Sequence, residues 1–388
     1  MCLDSSPPGV YLRESNPGGP WIISTAGGGW CYNESDCYAR SLTPLGSSAT
    51  WPATQEGSGL ESDDCSADAN PTFCLFNVAL IPYCDGDSQL GSRSDPILYT
   101  NASTGAVTRL WARGANIHAA VMDYLLSATS LPRAREVLVD GCSAGGHSAF
   151  HHLDSIGDLL PGADVRAVGD AGFFFDAQIA TGGRYDYAPG QFYYRSLLQY
   201  YFALHNASAG VSRACLAAKP PQSAWECATS LEALRWSARP AFVLQSGYDA
   251  YQMTNHFAPP WLPGVDPAWA ACTANASACW PEQVDYLAAA WVGPYRGALA
   301  VAGVLGPRLT PHGPHGLFLH SCLTHCQVAS AHAIVIGNTS MYGAISAWWA
   351  RARGPGADYA WVDCLGPSCN PTCSSSSSSS SSSSARGA

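Results

Sequence analysis

The sequence predicts an α/β fold of the α/β-hydrolase type: a mostly parallel sheet flanked by helices and rich in disulfides. Three observations predict it. Short apolar runs alternate with helical periodicities along the chain, one of those runs breaks into a Gly-x-Ser-x-Gly turn at Ser143, and 16 cysteines are scattered over 388 residues.

The apolar runs share one form. Trp21-Ile22-Ile23 leads into Gly27-Gly28-Gly29, Val78–Ile81 into Pro82-Tyr83-Cys84-Asp85-Gly86, and Val137–Asp140 into Gly141. Val165–Val168 leads into Gly169-Asp170-Ala171-Gly172, and Ala241–Leu244 into Gln245-Ser246-Gly247. Short apolar runs closed by turn residues read as buried strands followed by loops. Ile117–Leu126 spaces its apolar residues for a helix. So does Met341–Arg353, whose arginines fall where the helix dipole favours cations. Strand, loop and helix in alternation build a parallel sheet, and sites gather at the carboxyl ends of its strands.

An even number of cysteines, spread out rather than set in tight pairs, reads as a disulfide framework in an oxidising compartment and not as a zinc site. Cys31/Cys37, Cys272/Cys279 and Cys364/Cys369 are near enough in sequence for local bridges. Five Asn-x-Ser/Thr sequons, at Asn33, Asn101, Asn206, Asn275 and Asn338, agree with a secreted protein of the extracellular space or cell wall. The opening MCLDSSPPGVYLRE lacks the apolar segment of a signal peptide, which would then lie outside this sequence. No stretch of 18 uncharged apolar residues predicts a membrane span. The net charge of -10, without any Lys/Arg run, excludes the usual nucleic-acid partners. With 47% hydrophobic residues the chain has ample material for a core. Residues 1–373 read as one catalytic domain, and 374–388, beginning with an unbroken serine run, as a flexible tail.

The strongest signal is Gly141-Cys142-Ser143-Ala144-Gly145. An apolar strand precedes it and a helix follows, which is the strand–turn–helix elbow that this motif needs to project a serine hydroxyl. The glycines let the backbone turn sharply beside Ser143, and the helix N-terminus offers free N–H groups to a developing negative charge. Cys142 is a rival nucleophile, but an oxidising compartment favours a bridged or buried cysteine there. The single lysine, Lys219, sits in a turn-like AAKPP, an unpromising place for lysine chemistry.

Serine needs a base, and the base an orienting acid. In this fold the acid and histidine follow the serine in chain order. Asp249, just past the Ala241–Leu244 strand, is the first candidate for the acid; Asp170 is the second. For the base, His312, His315, His320 and His325 cluster in one stretch. A metal site from these histidines lacks helical spacing and a carboxylate beside it, so no metal is expected. His147 and His151 share a face of the elbow helix, where packing is the simpler reading. The Gly-rich loop Gly27–Trp30 can aim N–H groups at an oxyanion; Gly29 and Trp30 are the candidates, with Ala144, the residue after the serine, as the other donor.

Several separated blocks resemble the plant-type pectin acetylesterases: GGGWCYNESDC, PYCDGDS, GCSAGG, GDAGFFFD, SGYDAYQ, HSCLTHCQ and DCLGPSCNPTC, in family order from Cys2 to Cys373. The Notum carboxylesterases belong to the same superfamily. The resemblance implies Ser143 as nucleophile, Asp249 as triad acid, His325 as base, and Gly29, Trp30 and Ala144 as the oxyanion hole. It further implies removal of O-acetyl groups from an acetylated cell-wall polysaccharide through an acyl-enzyme, with no cofactor. His320, where plant members usually carry asparagine, and the PHGPHG segment depart from the family pattern. Two alternatives remain: a Notum-like carboxylesterase acting on a longer acyl chain, and a non-catalytic binding protein on a hydrolase scaffold.

Overall fold

A computed structural model describes residues 1–178, 180, 193–262, 265–306, 309–310, 313–351 and 358–376. Eight strands form the central sheet: β1 (Tyr11–Arg13), β2 (Trp21–Thr25), β3 (Asn77–Ile81), β4 (Glu136–Cys142), β5 (Asp164–Asp170), β6 (Ala241–Ser246), β7 (Gly316–His320) and β8 (Tyr359–Val362). Their order across the sheet is β1-β3-β2-β4-β5-β6-β7-β8. Only the edge strand β1 runs antiparallel to its neighbour; the other pairings are parallel.

Period-2 alternation divides the core. Ile23, Val137, Val139, Val165, Ala167 and Val243 face one cluster, filled by Ile117, Val121 and Leu125 of helix α1 (Gly114–Ala128) and by Phe150, Leu153 and Ile156 of α2 (Ala144–Leu159). Ile22, Leu138, Val168, Phe242, Leu244 and Phe318 face the other, covered by Met341, Ile345 and Trp348 of α3 (Met341–Trp349). Burying each of the Val, Leu, Ile, Phe and Met side chains among these contributes about 1.5–3 kcal/mol. The two covered faces explain why the strands read as continuous apolar runs.

The runs expected as strands are strands, extended by a residue or more. The expected helix Met341–Arg353 ends at Trp349 instead. Arg351 takes a left-handed φ of 51° and pairs with Asp164 at the start of β5, 3.0 Å away. Its cation therefore serves a tie to the sheet and not the helix terminus. Arg353, His312 and residues 377–388 of the expected tail lie outside the described residues. All 16 cysteines are paired, including the three local pairs expected. No described helix is long and apolar enough to cross a membrane.

Candidate active site

Five loops meet at the carboxyl edge of the sheet. Gly27–Trp30 follows β2, Ser143 follows β4, Asp170 ends β5, Asp249 follows β6 and His325 follows β7. In-register parallel pairing sets those strand ends side by side: Thr25 opposite Gly141, Cys142 opposite Asp170, and Ser246 opposite His320.

Ser143 has φ 58° and ψ -127°, a conformation that a non-glycine residue adopts only under strong constraint. The constraints are visible. Its N–H donates to the Asp170 carbonyl at 2.8 Å, and its own carbonyl accepts from His147 N at 2.9 Å in the first turn of α2. Gly145 permits the turn, because a Cβ there would lie 1.9 Å from the Thr25 carbonyl oxygen.

The hydroxyl of Ser143 lies 2.8 Å from Nε2 of His325, and Nδ1 of His325 lies 2.8 Å from Oδ2 of Asp249. An ionised carboxylate only accepts, so Nδ1 carries the proton and Nε2 is left to accept from Ser143. Asp249 is fully buried and held from both sides. Gln252 N donates to Oδ1 at 2.9 Å, and Gln245 Nε2 donates to Oδ2 at 3.2 Å. Burial alone would lower the pKa of His325. The Asp249 charge and hydrogen bond, helped by Asp170, outweigh that and leave the imidazole above its usual value. Tyr251 stacks on the imidazole with centroids 5.3 Å apart, and Phe174 lies 6.5 Å away at a tilt.

Asp170, the second candidate acid, does not hydrogen-bond the imidazole. Its Oδ2 accepts from the backbone N–H groups of Gln327 and Val328 at 2.5 and 2.7 Å. It thereby anchors the loop that carries His325. Burial pushes its pKa up to about 6, against the pull of those N–H groups. Cys142 is bonded to Cys326, so no thiol competes with Ser143. Lys219 pairs with Glu226 and Glu232.

The other histidines separate by place. His315 accepts from Ala241 N at 3.0 Å, and His320 is buried at the end of β7. His147 and His151 are buried on α2 and touch each other at 3.3 Å; His147 Nε2 donates to the Ala228 carbonyl at 2.8 Å. Among the described residues the one set of three metal-ligating side chains in mutual reach is Cys31, Cys37 and His205, and those two cysteines are joined to each other.

The Gly27–Trp30 loop lies against the elbow: a Cβ on Gly27 would meet Cys142 O at 2.4 Å and Ser143 Cβ at 3.1 Å. Three of its carbonyls are occupied by side-chain donors. Arg40 donates to the carbonyls of Gly28 and Trp30 at 2.5 and 3.0 Å, and the Tyr83 hydroxyl donates to that of Gly29. Gly29 has φ 69°, in the left-handed region that glycine tolerates. The N–H groups of Gly28, Gly29 and Trp30 make no hydrogen bond among the described residues. The N–H of Ala144, at the start of α2, likewise makes no hydrogen bond among the described residues. Such an arrangement is suited to binding an oxyanion formed at Ser143.

Gln245, Gln252, Arg40 and Tyr83 carry no signal of their own in the sequence. Arg40 and Tyr83 act by hydrogen-bonding a loop that the fold brings near, whereas Gln245 and Gln252 reach Asp249 from four and three residues away in sequence.

The pectinacetylesterase family profile matches residues 1–374. Pectin acetylesterase 5 of Arabidopsis thaliana is 30% identical over 382 residues, covering 96% of this chain and 81% of the plant protein. Pectin acetylesterase 11 of the same plant is also 30% identical, covering 96% and 89%. Human palmitoleoyl-protein carboxylesterase NOTUM is 32% identical over a shorter stretch, 45% of this chain and 34% of its own. The solved structure of the Drosophila Wnt deacylase Notum has the same fold, with TM-score 0.74 over 96% of both chains at 24% identity.

Proposed function

This chain belongs to the pectinacetylesterase family of carboxylic ester hydrolases, and we propose that it is a secreted serine esterase that removes acetyl groups from pectin-like polysaccharide. The observation that carries the serine mechanism is the unbroken relay Ser143–His325–Asp249, with both links at 2.8 Å.

In this reading Nε2 of His325 takes the proton of Ser143 as Oγ attacks the acetyl carbonyl. Asp249 holds the useful tautomer and stabilises the imidazolium. The N–H groups of Gly29, Trp30 and Ala144 receive the oxyanion. His325 then protonates the departing sugar oxygen, leaving acetyl-Ser143. Water, activated by the same imidazole, releases acetate and restores the serine. Eight disulfides among the described residues support an oxidising destination.

A short acyl group suits the surroundings better than a long one. Trp30 and Phe174 pack edge-on at 4.6 Å, and Tyr194 stacks on His256 at 4.3 Å; all four are buried close to the relay. A long chain entering there would have to displace them. The test is acetate release from acetylated pectin, together with rates on acetyl and octanoyl nitrophenyl esters. Ser143→Ala should lower the acetyl rate by at least about 10³-fold. A strong preference for octanoyl, or an active Ser143→Ala enzyme, would defeat the proposal.

A further inference from the structure

The direction of the relay decides on which side of Ser143 the alcohol must leave. Nε2 of His325 protonates the ester oxygen, so the sugar lies on the imidazole side, while the carbonyl oxygen faces the Gly27–Trp30 loop. His325 is also part of the wall of a cleft of about 570 Å³, which Ser143 itself does not line. That volume falls within the roughly 300–1,000 Å³ of small-ligand sites.

Its lining mixes Ala274, Leu323, Pro371 and the Cys322–Cys373 disulfide with polar side chains, of which Gln327 stands beside His325 and Asn275 and Ser277 on a neighbouring turn. The polar ones are the partners a sugar ring with several hydroxyls requires. The Thr324 hydroxyl is buried and makes no hydrogen bond among the described residues. Ser277 is exposed. Among the described residues the Gln327 side chain uses only its oxygen, which accepts from the Ser330 hydroxyl at 3.3 Å. The wall is held in place. Cys322 is bonded to Cys373, Cys326 to Cys142, and Ala250 N donates to the Thr324 carbonyl at 3.1 Å.

We propose that this cleft is the leaving-group subsite, which seats the sugar ring bearing the scissile acetyl group, with Gln327 reading its free hydroxyls and Ser277 at its rim. The assignment rests on the esterase reading above. Asn275 also heads an Asn-Ala-Ser sequon, so a glycan carried there would compete with substrate for the same space.

The experiment compares kcat/KM for acetate release from acetylated pectin oligosaccharides with kcat/KM for p-nitrophenyl acetate, whose activated leaving group has no sugar hydroxyls to be recognised. Gln327→Ala and Ala276→Trp, the latter keeping the sequon, should each lower the oligosaccharide-to-nitrophenyl ratio at least about tenfold, mainly through KM. Deacetylated oligosaccharide should inhibit the parent enzyme competitively and should inhibit Ala276→Trp at least tenfold more weakly. On a preparation in which mass spectrometry finds Asn275 occupied, enzymatic deglycosylation should raise the oligosaccharide rate. Ratios unchanged in both variants, with inhibition undiminished, would overturn the subsite while leaving the esterase intact. A parent enzyme inert on both substrates would remove the esterase reading, and the subsite with it.

Discussion

Cys142 and Cys326 are joined by a disulfide across 184 residues of sequence, and each is the immediate neighbour of a relay residue: Cys142 precedes Ser143 and Cys326 follows His325. The bond ties the elbow to the loop that bears the imidazole. A second tie runs in parallel, from Gln327 N and Val328 N to the Asp170 carboxylate. The proposed nucleophile and base are thus fixed to one another through the backbone as well as through their own hydrogen bond.

Breaking the covalent tie separates positioning from simple stabilisation. The double variant Cys142→Ala/Cys326→Ala leaves no unpaired thiol. It should lose about 2–4 kcal/mol of stability, as expected for a disulfide closing a long loop. It should also lose about ten- to a hundredfold in kcat, since a misplacement near 1 Å can cost that much. Thermal unfolding and steady-state kinetics read the two separately. A lower melting temperature with unchanged kcat would reduce the bond to a stabilising role.

The pH profile should report the raised imidazole. Nε2 must be unprotonated to accept the serine proton, so kcat/KM should fall on the acid side. Because His325 is held above its usual value, the midpoint should lie above about 6.5. Asp170 contributes to that rise. Asp170→Asn keeps an oxygen for the loop N–H groups but removes the charge, and should move the midpoint to lower pH. A midpoint that does not move would mean that Asp170 has no electrostatic influence on the base.

Arg40 is spent on the carbonyls of Gly28 and Trp30, which orients the loop proposed to bind the oxyanion. Arg40→Met should lower kcat about ten- to a hundredfold while changing KM little, because the loop's contribution is greatest in the transition state. Kinetics on acetyl nitrophenyl ester would show this. A change confined to KM would argue against the orienting role.

His256 is a source of acid sensitivity. It is buried, neither ring nitrogen has a partner among the described residues, and burial, with His325 nearby, takes its pKa down to about 3. The unfolded chain takes up a proton near pH 6.5 that the folded protein refuses. Stability from this group is therefore complete above about 6.5 and is lost as pH falls toward the folded value. His256→Phe should remove up to about 1.4 kcal/mol per pH unit from that slope. Unfolding free energies at pH 5 and pH 8 should lie closer together in the variant than in the parent.

Local features were legible in the sequence, and spatial ones much less so. Ser143 could be found because the elbow is contiguous: strand, tight turn and helix all lie within β4 and α2. The buried strands were readable because both faces of the sheet are covered. Asp249 and Asp170 could not be separated by pattern, since each lies at a strand end among turn residues; what distinguishes them is that Asp170 gives its oxygen to the His325 loop. The histidine was ambiguous for the same reason, and the family resemblance selected His325. Gln245 and Gln252 left no trace, because one lies within a strand and the other in a short helical turn. The pairing of Cys142 with Cys326 has no local signature at all. The helix from Met341 is shorter than its sequence suggests, because arginines after a helix end resemble arginines that complete it.

The long span of that disulfide also bears on how the protein is made. Cys31 and Cys37, Cys65 and Cys74, and even Cys2 and Cys84 can pair while synthesis is under way, since their separations are 6, 9 and 82 residues. Cys142 must wait for 184 further residues. At about 5–20 residues per second that is an interval of roughly 10–40 s. Throughout it a thiolate-forming group stands next to Ser143, open to exchange with bonds already closed. The proposed hydrolytic centre is therefore among the last parts of the nascent chain to be covalently completed, and the yield of active protein should depend on the thiol-exchange capacity of the compartment in which it matures.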